Sequence, residues 1–447
     1  MSAHRAAVIG SGPAGFYTTD QLLDKGWEVD LYDALPTPYG LVRSGVAPDH
    51  PKLKSVTRIY EKTAGKPGFR FFGGVELGKH VTREELLERY HAVVYAVGTG
   101  DDNRLGIPGE DRPGSYAATR FVAWYNGHPE AVDEEFDLSA QRAVVIGNGN
   151  VAIDLARMLL LDPEELAATD CADHAVRELA EAQVQEVIIL GRRGPAQAAF
   201  TNTELRELGE MTGVDVQVDP AEVEGVVPEG EPTQIRNVEI LKGYAARPPG
   251  SAGRRISLKF LRSPLEILGD GDDGPVTGIR LAINRLEDGR AVPTGDEEVI
   301  GCGLVLRSIG YRGRQIDDIP FDERRALIRN EGGRVHQEDG SPCSGEYAVG
   351  WIKRGPSGVI GTNKKDAADT VAKVVEDREA GRLDGERPDA EDAAEWLSSA
   401  APDAVTWEGW QAIDEYERSA GEPHGRPRVK LVRLTDLMAA GRGSRVS

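Results

Sequence analysis

The 447-residue sequence holds only three cysteines, Cys171, Cys302 and Cys343, and no two of them have a C-x-x-C spacing. That scarcity disfavours a structural zinc site, a disulfide framework and a redox-active dithiol. An iron–sulfur cluster carried by the chain is disfavoured too, because such clusters usually need four cysteine ligands. Any electrons must then be handled by a bound cofactor. No apolar run approaches the roughly 18 residues that read as a membrane span. A strand-like segment already begins at Arg5, which leaves no room for a signal or transit peptide, so the expectation is a cytoplasmic protein. Positive charge is also in deficit: 53 Lys and Arg face 74 Asp and Glu, a formal net charge of −21. Long-range repulsion of that sign opposes bulk binding to nucleic acid or anionic membrane. An acidic protein partner would need a local basic patch. Two stretches offer one: His50-Pro51-Lys52-Leu53-Lys54 with Arg58 and Lys62, and Lys353-Arg354 through Lys364-Lys365. Each also reads as ordinary solvated charge.

The chain is long enough for two or three domains, and it contains two openings of one kind. The apolar run Ala6–Gly10 reads as a buried strand leading into Gly10-Ser11-Gly12-Pro13-Ala14-Gly15. A helical stretch over about 14–25 follows, then a second strand, Trp27–Tyr32, ending at Asp33. This is a β-α-β unit with G-x-G-x-x-G at its first turn. Gly10 permits the tight turn, Gly12 lets the backbone approach a pyrophosphate, and Gly15 lets helix and strand pack closely. The helix N-terminus offers free N–H groups and partial positive charge to phosphates. Asp33 stands where a carboxylate accepts hydrogen bonds from ribose hydroxyls.

The second opening is Arg142–Gly147 followed by Asn148-Gly149-Asn150-Val151-Ala152, a G-x-G-x-x-A turn with a helix predicted over 151–161. Its next comparable strand, Gln185–Leu190, ends in Gly191-Arg192-Arg193-Gly194, and the extra residues 162–182 read as helical decoration. The two strand ends differ in charge. A carboxylate repels a 2′-phosphate, whereas arginines bind it through charge-assisted, often bidentate hydrogen bonds. One such bond, at roughly 1.5–3 kcal/mol, favours a 2′-phosphorylated nucleotide about tenfold or more. The first site therefore suits FAD and the second suits NADPH. As a surface pair in a loop, the two arginines would carry no such preference.

These motifs and their surroundings resemble the adrenodoxin-reductase-like branch of ferredoxin–NADP reductases. Longer strings carry the resemblance over nearly the whole chain: Pro36–Pro51, Gly191–Pro195 with Glu204–Glu207, and Val349–Asn363. It implies an α/β protein of two Rossmann-like dinucleotide-binding domains, with the NADP domain (106–317) inserted into the FAD domain (1–105 and 318–447). It implies electron transfer from NADPH through FAD to a ferredoxin-type iron–sulfur protein. An NADPH-dependent reductase of quinones or other small acceptors shares every cofactor motif and differs only in the acceptor. A non-enzymatic NADP sensor stands further off. Tyr95–Gly100, with Gly98, reads as a strand leaving the first unit, and Leu304–Ile309 as the last strand of the insert. The segments 234–241, 255–261 and 276–286 look strand-like and suggest a hairpin-rich layer. Gly269–Gly274 reads as a turn, and the acidic chain after about Arg382 as mostly helical.

By the same resemblance Ala14, Asp33, Leu41, Leu77, Trp351 and Gly358-Val359-Ile360 align with FAD-contacting positions. Asn148–Val151, Arg192, Arg193, Glu204 and again Gly358 align with NADP-contacting ones. His50 and Glu207 are the candidate catalytic residues, a histidine–carboxylate pair that could orient the nicotinamide or handle a proton. Direct hydride transfer needs no obligatory acid or base, and His50 reads equally well as a residue that starts a turn before Pro51. The stretch Gly355–Ile360 opens a helix at about Asn363, whose N-terminus would favour negative charge on a reduced flavin.

Overall fold

The computed structural model describes residues 4–227, 230–248, 250–271 and 273–443. It divides into two compact units, one of Met1–Asp101 with Tyr311–Ser447 and one of Asp102–Gly310.

In the first unit a seven-stranded sheet runs in the order Asn330–Glu331, Arg334–His336, Pro342–Ala348, Ala92–Tyr95, Arg5–Ile9, Glu28–Asp33, Phe69–Gly73. The last five strands are parallel, with Val8 opposite Leu31 on one side and Val94 on the other. The two strands at the opposite edge are antiparallel. Parallel strands covered on both faces read as continuous apolar runs, and Arg5–Ile9 is buried throughout. Ala6 and Val8 join a core with Phe16, Leu31, Ala367 and Val371. Ala7 and Ile9 join the other face with Tyr32, Val93, Ile328 and Leu397. The helix Thr362–Glu379 is tied to the antiparallel edge by Asp377, which accepts hydrogen bonds from Arg334 Nε at 2.9 Å, Tyr347 Oη at 2.7 Å and Arg382 Nε at 2.9 Å. Beyond Arg382 the chain forms the helices Ala390–Ala400, Trp407–Gly421 and Leu434–Gly441.

The second unit holds a six-stranded parallel sheet in the order Ser115–Ala117, Leu304–Arg307, Arg142–Ile146, Glu186–Leu190, Arg254–Lys259, Val214–Val218. Beside it lies an antiparallel sheet of Arg262–Gly269, Val276–Glu287 and Arg290–Gly301. The residues that decorate the second opening form two helices, Pro163–Ala167 and Asp173–Glu181.

Three strand expectations change. The strand expected over Tyr95–Gly100 lies earlier, at Ala92–Tyr95, and residues 96–100 form no strand. Residues 234–241 lie inside a helix, Pro232–Ala245, with Pro232 in its first turn and a Glu231/Gln234 capping box. Val238, Leu241 and Tyr244 are buried along one face, which is helical spacing that a short apolar run does not distinguish from a strand. Residues 255–261 belong to no hairpin layer. Arg254–Lys259 is inserted in parallel between Glu186–Leu190 and Val214–Val218. The strand over 276–286 does pair antiparallel on both sides. In the Gly269–Gly274 turn, Asp272 lies outside the described residues.

The Asp377 junction makes a pH prediction. Burial raises this carboxyl, but hydrogen bonds from Arg334, Tyr347 and Arg382 and the Arg334 charge outweigh it and hold the pKa at about 2. A carboxyl depressed on folding stabilises fully above its unfolded value of about 4, and loses that contribution as pH falls through the folded value. Asp377→Asn should lower stability near neutral pH by about 1.5–3 kcal/mol. The difference between wild type and variant in urea-unfolding midpoint should shrink between about pH 4 and pH 2. A difference that stays constant over that range contradicts the assignment.

Candidate functional site

The first glycine turn is built by contacts that only glycine permits. Gly10 has φ +104°, and a Cβ there would lie 2.5 Å from the Ala96 carbonyl oxygen. A Cβ on Gly15 would lie 1.9 Å from the Gly10 carbonyl oxygen. Gly12 is different, because a Cβ there would meet no protein atom within 4 Å. Its backbone is ordinary, φ −71°, and it starts the helix Pro13–Asp24 without a side-chain cap. The start of this helix therefore has no side-chain cap and open space at Gly12, which is what a pyrophosphate requires.

Asp33 ends the adjacent strand and grips this turn. Its Oδ2 accepts from the Ser11 N–H at 2.8 Å and the Ser11 hydroxyl at 2.6 Å, and its Oδ1 accepts from the Leu35 N–H at 2.9 Å. Burial pushes its pKa up, and these hydrogen bonds oppose the shift. A carboxylate has about four lone-pair sites, so Oδ1 keeps room for one ribose hydroxyl.

Other elements of the same unit contribute to this side. Tyr39 at φ +86° and Gly40 at φ +49° turn the chain into the helix Leu41–Ser44, leaving Leu41 39% exposed. Gly98, at φ +71°, also faces open space. Val97 beside it is 37% exposed, and the Thr99 hydroxyl is buried with no hydrogen-bond partner among the described residues. Gly350 lets the segment before Trp351 come close to the glycine helix, since a Cβ there would sit 2.6 Å from the Ala14 Cβ. Its N–H donates to Asp366 at 2.6 Å. The Trp351 indole N–H is also buried without a partner among the described residues. Gly358 and Val359 are exposed and Ile360 half-buried, immediately before the uncapped helix Thr362–Glu379. Leu77 lies apart from these in its packing: it is half-buried, bridges to Val81 and packs against the core of the other sheet face. Open glycines, orphaned donors and exposed aliphatics in one unit fit a large ligand with a pyrophosphate and an apolar ring, as FAD has.

The second glycine turn repeats the first within the other unit. Gly147 has φ +122°, and a Cβ would fall 2.0 Å from the Ser308 carbonyl oxygen. Gly149 again faces open space and starts the helix Asn150–Leu160 without a side-chain cap. Ala152 takes the third position and is fully buried. Asn148 and Asn150 lace the turn to the loop before the helix Asn202–Leu208: the Asn148 carbonyl accepts from the Ala199 N–H at 3.0 Å, and Asn150 Oδ1 from the Thr201 N–H at 2.8 Å. Val151 is half-buried against the core.

Arg192 and Arg193 are exposed at the end of Glu186–Leu190. Their backbones are fixed, since the Arg192 carbonyl accepts from Asn284 Nδ2 at 2.9 Å and the Arg193 carbonyl from the Leu261 N–H at 3.1 Å. Neither guanidinium pairs with a carboxylate among the described residues. Two anchored cations without an internal counter-charge suit a phosphate.

A charge cluster invisible to motif reading lies on the same unit. Arg157, 5% exposed, donates to Glu207 at 3.0 Å, with Glu204 and Asp154 each at 3.5 Å. It links the glycine-turn helix to the helix that carries both glutamates. His50, the other candidate catalytic residue, is buried and forms the N-cap position of the helix Pro51–Lys54 in the first unit, without a side-chain cap bond. All three cysteines are buried. Burial pushes the Cys302 thiol up to about 12 and raises Cys343 as well, which is unsuited to thiolate chemistry.

Comparison with known proteins matches residues 4–238 to the family described as pyridine nucleotide-disulphide oxidoreductase. The NADPH-ferredoxin reductase FprA of Mycobacterium leprae is 52% identical over 98% of this chain and 99% of its own. The mitochondrial NADPH:adrenodoxin oxidoreductase of Salvelinus fontinalis is 42% identical over 99% of this chain and 92% of its own. The solved structure of Mycobacterium tuberculosis FprA in complex with NADPH superposes with a TM-score of 0.94 at 50% identity, covering 99% of this chain and 100% of that one.

The glycine geometry separates two kinds of substitution. Gly12→Ala meets no protein atom, so it should fold but block the pyrophosphate and purify without flavin. Gly15→Ala collides with backbone and should unfold the first unit. Circular dichroism together with flavin absorbance distinguishes the two. A yellow, fully flavinated Gly12→Ala would contradict the role given to that position.

Proposed function

The chain belongs to the pyridine nucleotide-disulphide oxidoreductase family and, within it, to the NADPH–ferredoxin reductases related to adrenodoxin oxidoreductase; on that premise we propose that it carries electrons from NADPH through bound FAD to a ferredoxin-type iron–sulfur protein. The observation that carries the reading is the pair of open glycine turns in one chain, one beside Asp33 and the other beside Arg192 and Arg193. The unit of 4–101 with 311–443 is proposed to hold FAD, and the inserted unit 102–310 to hold NADPH. Among the described residues no helix is long and apolar enough to cross a membrane, and the proposed location is the cytoplasm.

Bound FAD supplies the chemistry of accepting two electrons as a hydride and releasing them singly. The protein's own groups bind and orient. In the first unit the N–H groups after Gly12 receive the FAD pyrophosphate and Asp33 Oδ1 receives a ribose hydroxyl. Thr99 and Trp351 are proposed to donate the hydrogen bonds they lack, and Leu41, Val359 and Ile360 to shield the ring from water. In the second unit the turn Asn148–Val151 receives the NADPH pyrophosphate, Arg192 and Arg193 its 2′-phosphate, and Glu204, steadied by Arg157, its nicotinamide half. Gly358 and Leu77 are proposed as backbone contacts.

His50 and Glu207 are proposed as the catalytic pair acting on the nicotinamide. Their role is orientation, because hydride transfer needs no general acid or base. His50→Gln and Glu207→Gln should each slow NADPH-dependent flavin reduction in stopped-flow by about tenfold or less. A loss in the range of about 10²–10⁴-fold would instead mark general acid–base catalysis.

The reading as a whole is tested by mixing NADPH-reduced holoenzyme anaerobically with an oxidised [2Fe–2S] ferredoxin. One-electron reduction of the cluster is expected, and reduction of quinones alone would favour a small-molecule reductase. Neutral replacement of Arg192 and Arg193 should weaken NADPH by about tenfold or more while leaving NADH nearly unchanged. Equal weakening of both nucleotides contradicts 2′-phosphate recognition.

A further inference from the structure

We infer that the exposed face of the helices Pro51–Lys54 and Thr57–Ala64 is the docking surface for an acidic iron–sulfur partner, an inference that rests on the electron-transfer reading above. Lys52, Arg58 and Lys62 are exposed there, with no carboxylate partner among the described residues. Between residues 51 and 64 the one acidic residue is Glu61, against four cations including Lys54, in a chain whose net charge is −21. A local excess of that sign needs a reason in so acidic a protein. Two aliphatic side chains lie among the cations, Leu53 at 48% and Ile59 at 47% exposure. Half-exposed aliphatics among charged side chains are the ordinary make-up of a protein-docking surface.

The platform is firmly held. Tyr60 is fully buried and stacks on Phe16 with ring centroids 4.7 Å apart. The Thr63 hydroxyl donates to Asp20 at 2.8 Å. Phe16 and Asp20 both lie on the helix that Gly12 starts. A run of turns connects the patch back to Leu41, through Val46 N–H to the Leu41 carbonyl at 2.7 Å, His50 N–H to the Ala47 carbonyl at 3.0 Å and Leu53 N–H to the His50 carbonyl at 3.1 Å. The patch is thus rigidly part of the unit proposed to hold the flavin.

The other basic stretch in the sequence behaves differently. Lys353 pairs with the buried Asp366 at 2.9 Å, and Arg354 donates to Asn363 at 3.1 Å. Half of its cations are therefore engaged inside the unit, and its exposed Gly358 and Val359 belong to the proposed cofactor side. A compact acidic protein fits the first patch better than a nucleic acid or an anionic membrane, whose extended negative surface would also face the rest of this acidic chain.

The test uses the flavin-loaded holoenzyme and its triple variant Lys52→Glu, Arg58→Glu, Lys62→Glu. A plant-type [2Fe–2S] ferredoxin of net negative charge is the protein acceptor, and menadione, which is uncharged, is the small one. The variant should lose about tenfold or more in kcat/KM for ferredoxin at low ionic strength, through KM, while its menadione rate stays unchanged. Salt should slow the wild type's ferredoxin reaction and leave the variant's nearly flat. An unchanged ferredoxin KM in the variant overturns the inference. Should charge reversal reduce flavin content, glutamine at the same three positions makes the same comparison: a raised KM supports the surface and an unchanged one overturns it. Wild-type enzyme that reduces menadione but not ferredoxin overturns the electron-transfer reading itself.

Discussion

A pyrophosphate can rest on the N-terminus of a helix only where no side chain stands between them. Each unit meets that constraint once, and much of the surrounding structure follows from it. Within the two turns, a Cβ on Gly12 or Gly149 would touch nothing, while one on Gly10, Gly15 or Gly147 would strike backbone. The first kind of glycine makes room for a ligand and the second kind closes the turn that presents it. The parallel sheets behind each turn hold strand and helix in that register, and the buried alternation of Ala6, Ala7, Val8 and Ile9 fixes one of those strands from both faces.

The proposed division of labour between the units rests on charge at the end of the next strand. Asp33 is half-buried and hydrogen-bonded to Ser11 and Leu35, so it shapes the turn, and in the proposed reading its charge also excludes a 2′-phosphate. Arg192 and Arg193 are exposed, with only their backbones committed. In the proposed reading, one carboxylate and two guanidiniums sort two nucleotides that share most of their chemistry. The three cysteines are buried, and burial raises the Cys302 and Cys343 thiols, which leaves flavin as the redox group.

Both glycine turns were legible in the sequence because they are local: a strand, three spaced small residues and a helix occupy about thirty residues and need no distant partner. The charged strand ends were legible for the same reason. What escaped depends on tertiary approach. Residues 234–241 look like a strand until Tyr244 and the Pro232 start are seen to belong to the same helical face. Arg157 carries no motif, and only the approach of the helices Asn150–Leu160 and Asn202–Leu208 brings it to Glu204 and Glu207. The two basic stretches look alike as sequence, and only the positions of Asp366 and Asn363 show that Lys353 and Arg354 of one stretch are engaged within the unit. The orphaned Thr99 hydroxyl and Trp351 indole are likewise visible only when every neighbouring acceptor has been located.

The central claim is that opposite charge at two strand ends assigns the nucleotides. It is tested most directly by competition against NADPH with two fragments, adenosine 2′,5′-bisphosphate and 5′-AMP, across ionic strength. The account predicts that the 2′-phosphate tightens binding by about tenfold or more at low salt, and that the advantage fades as salt screens it. Equal affinity for the two fragments, or a preference that salt does not touch, would contradict it.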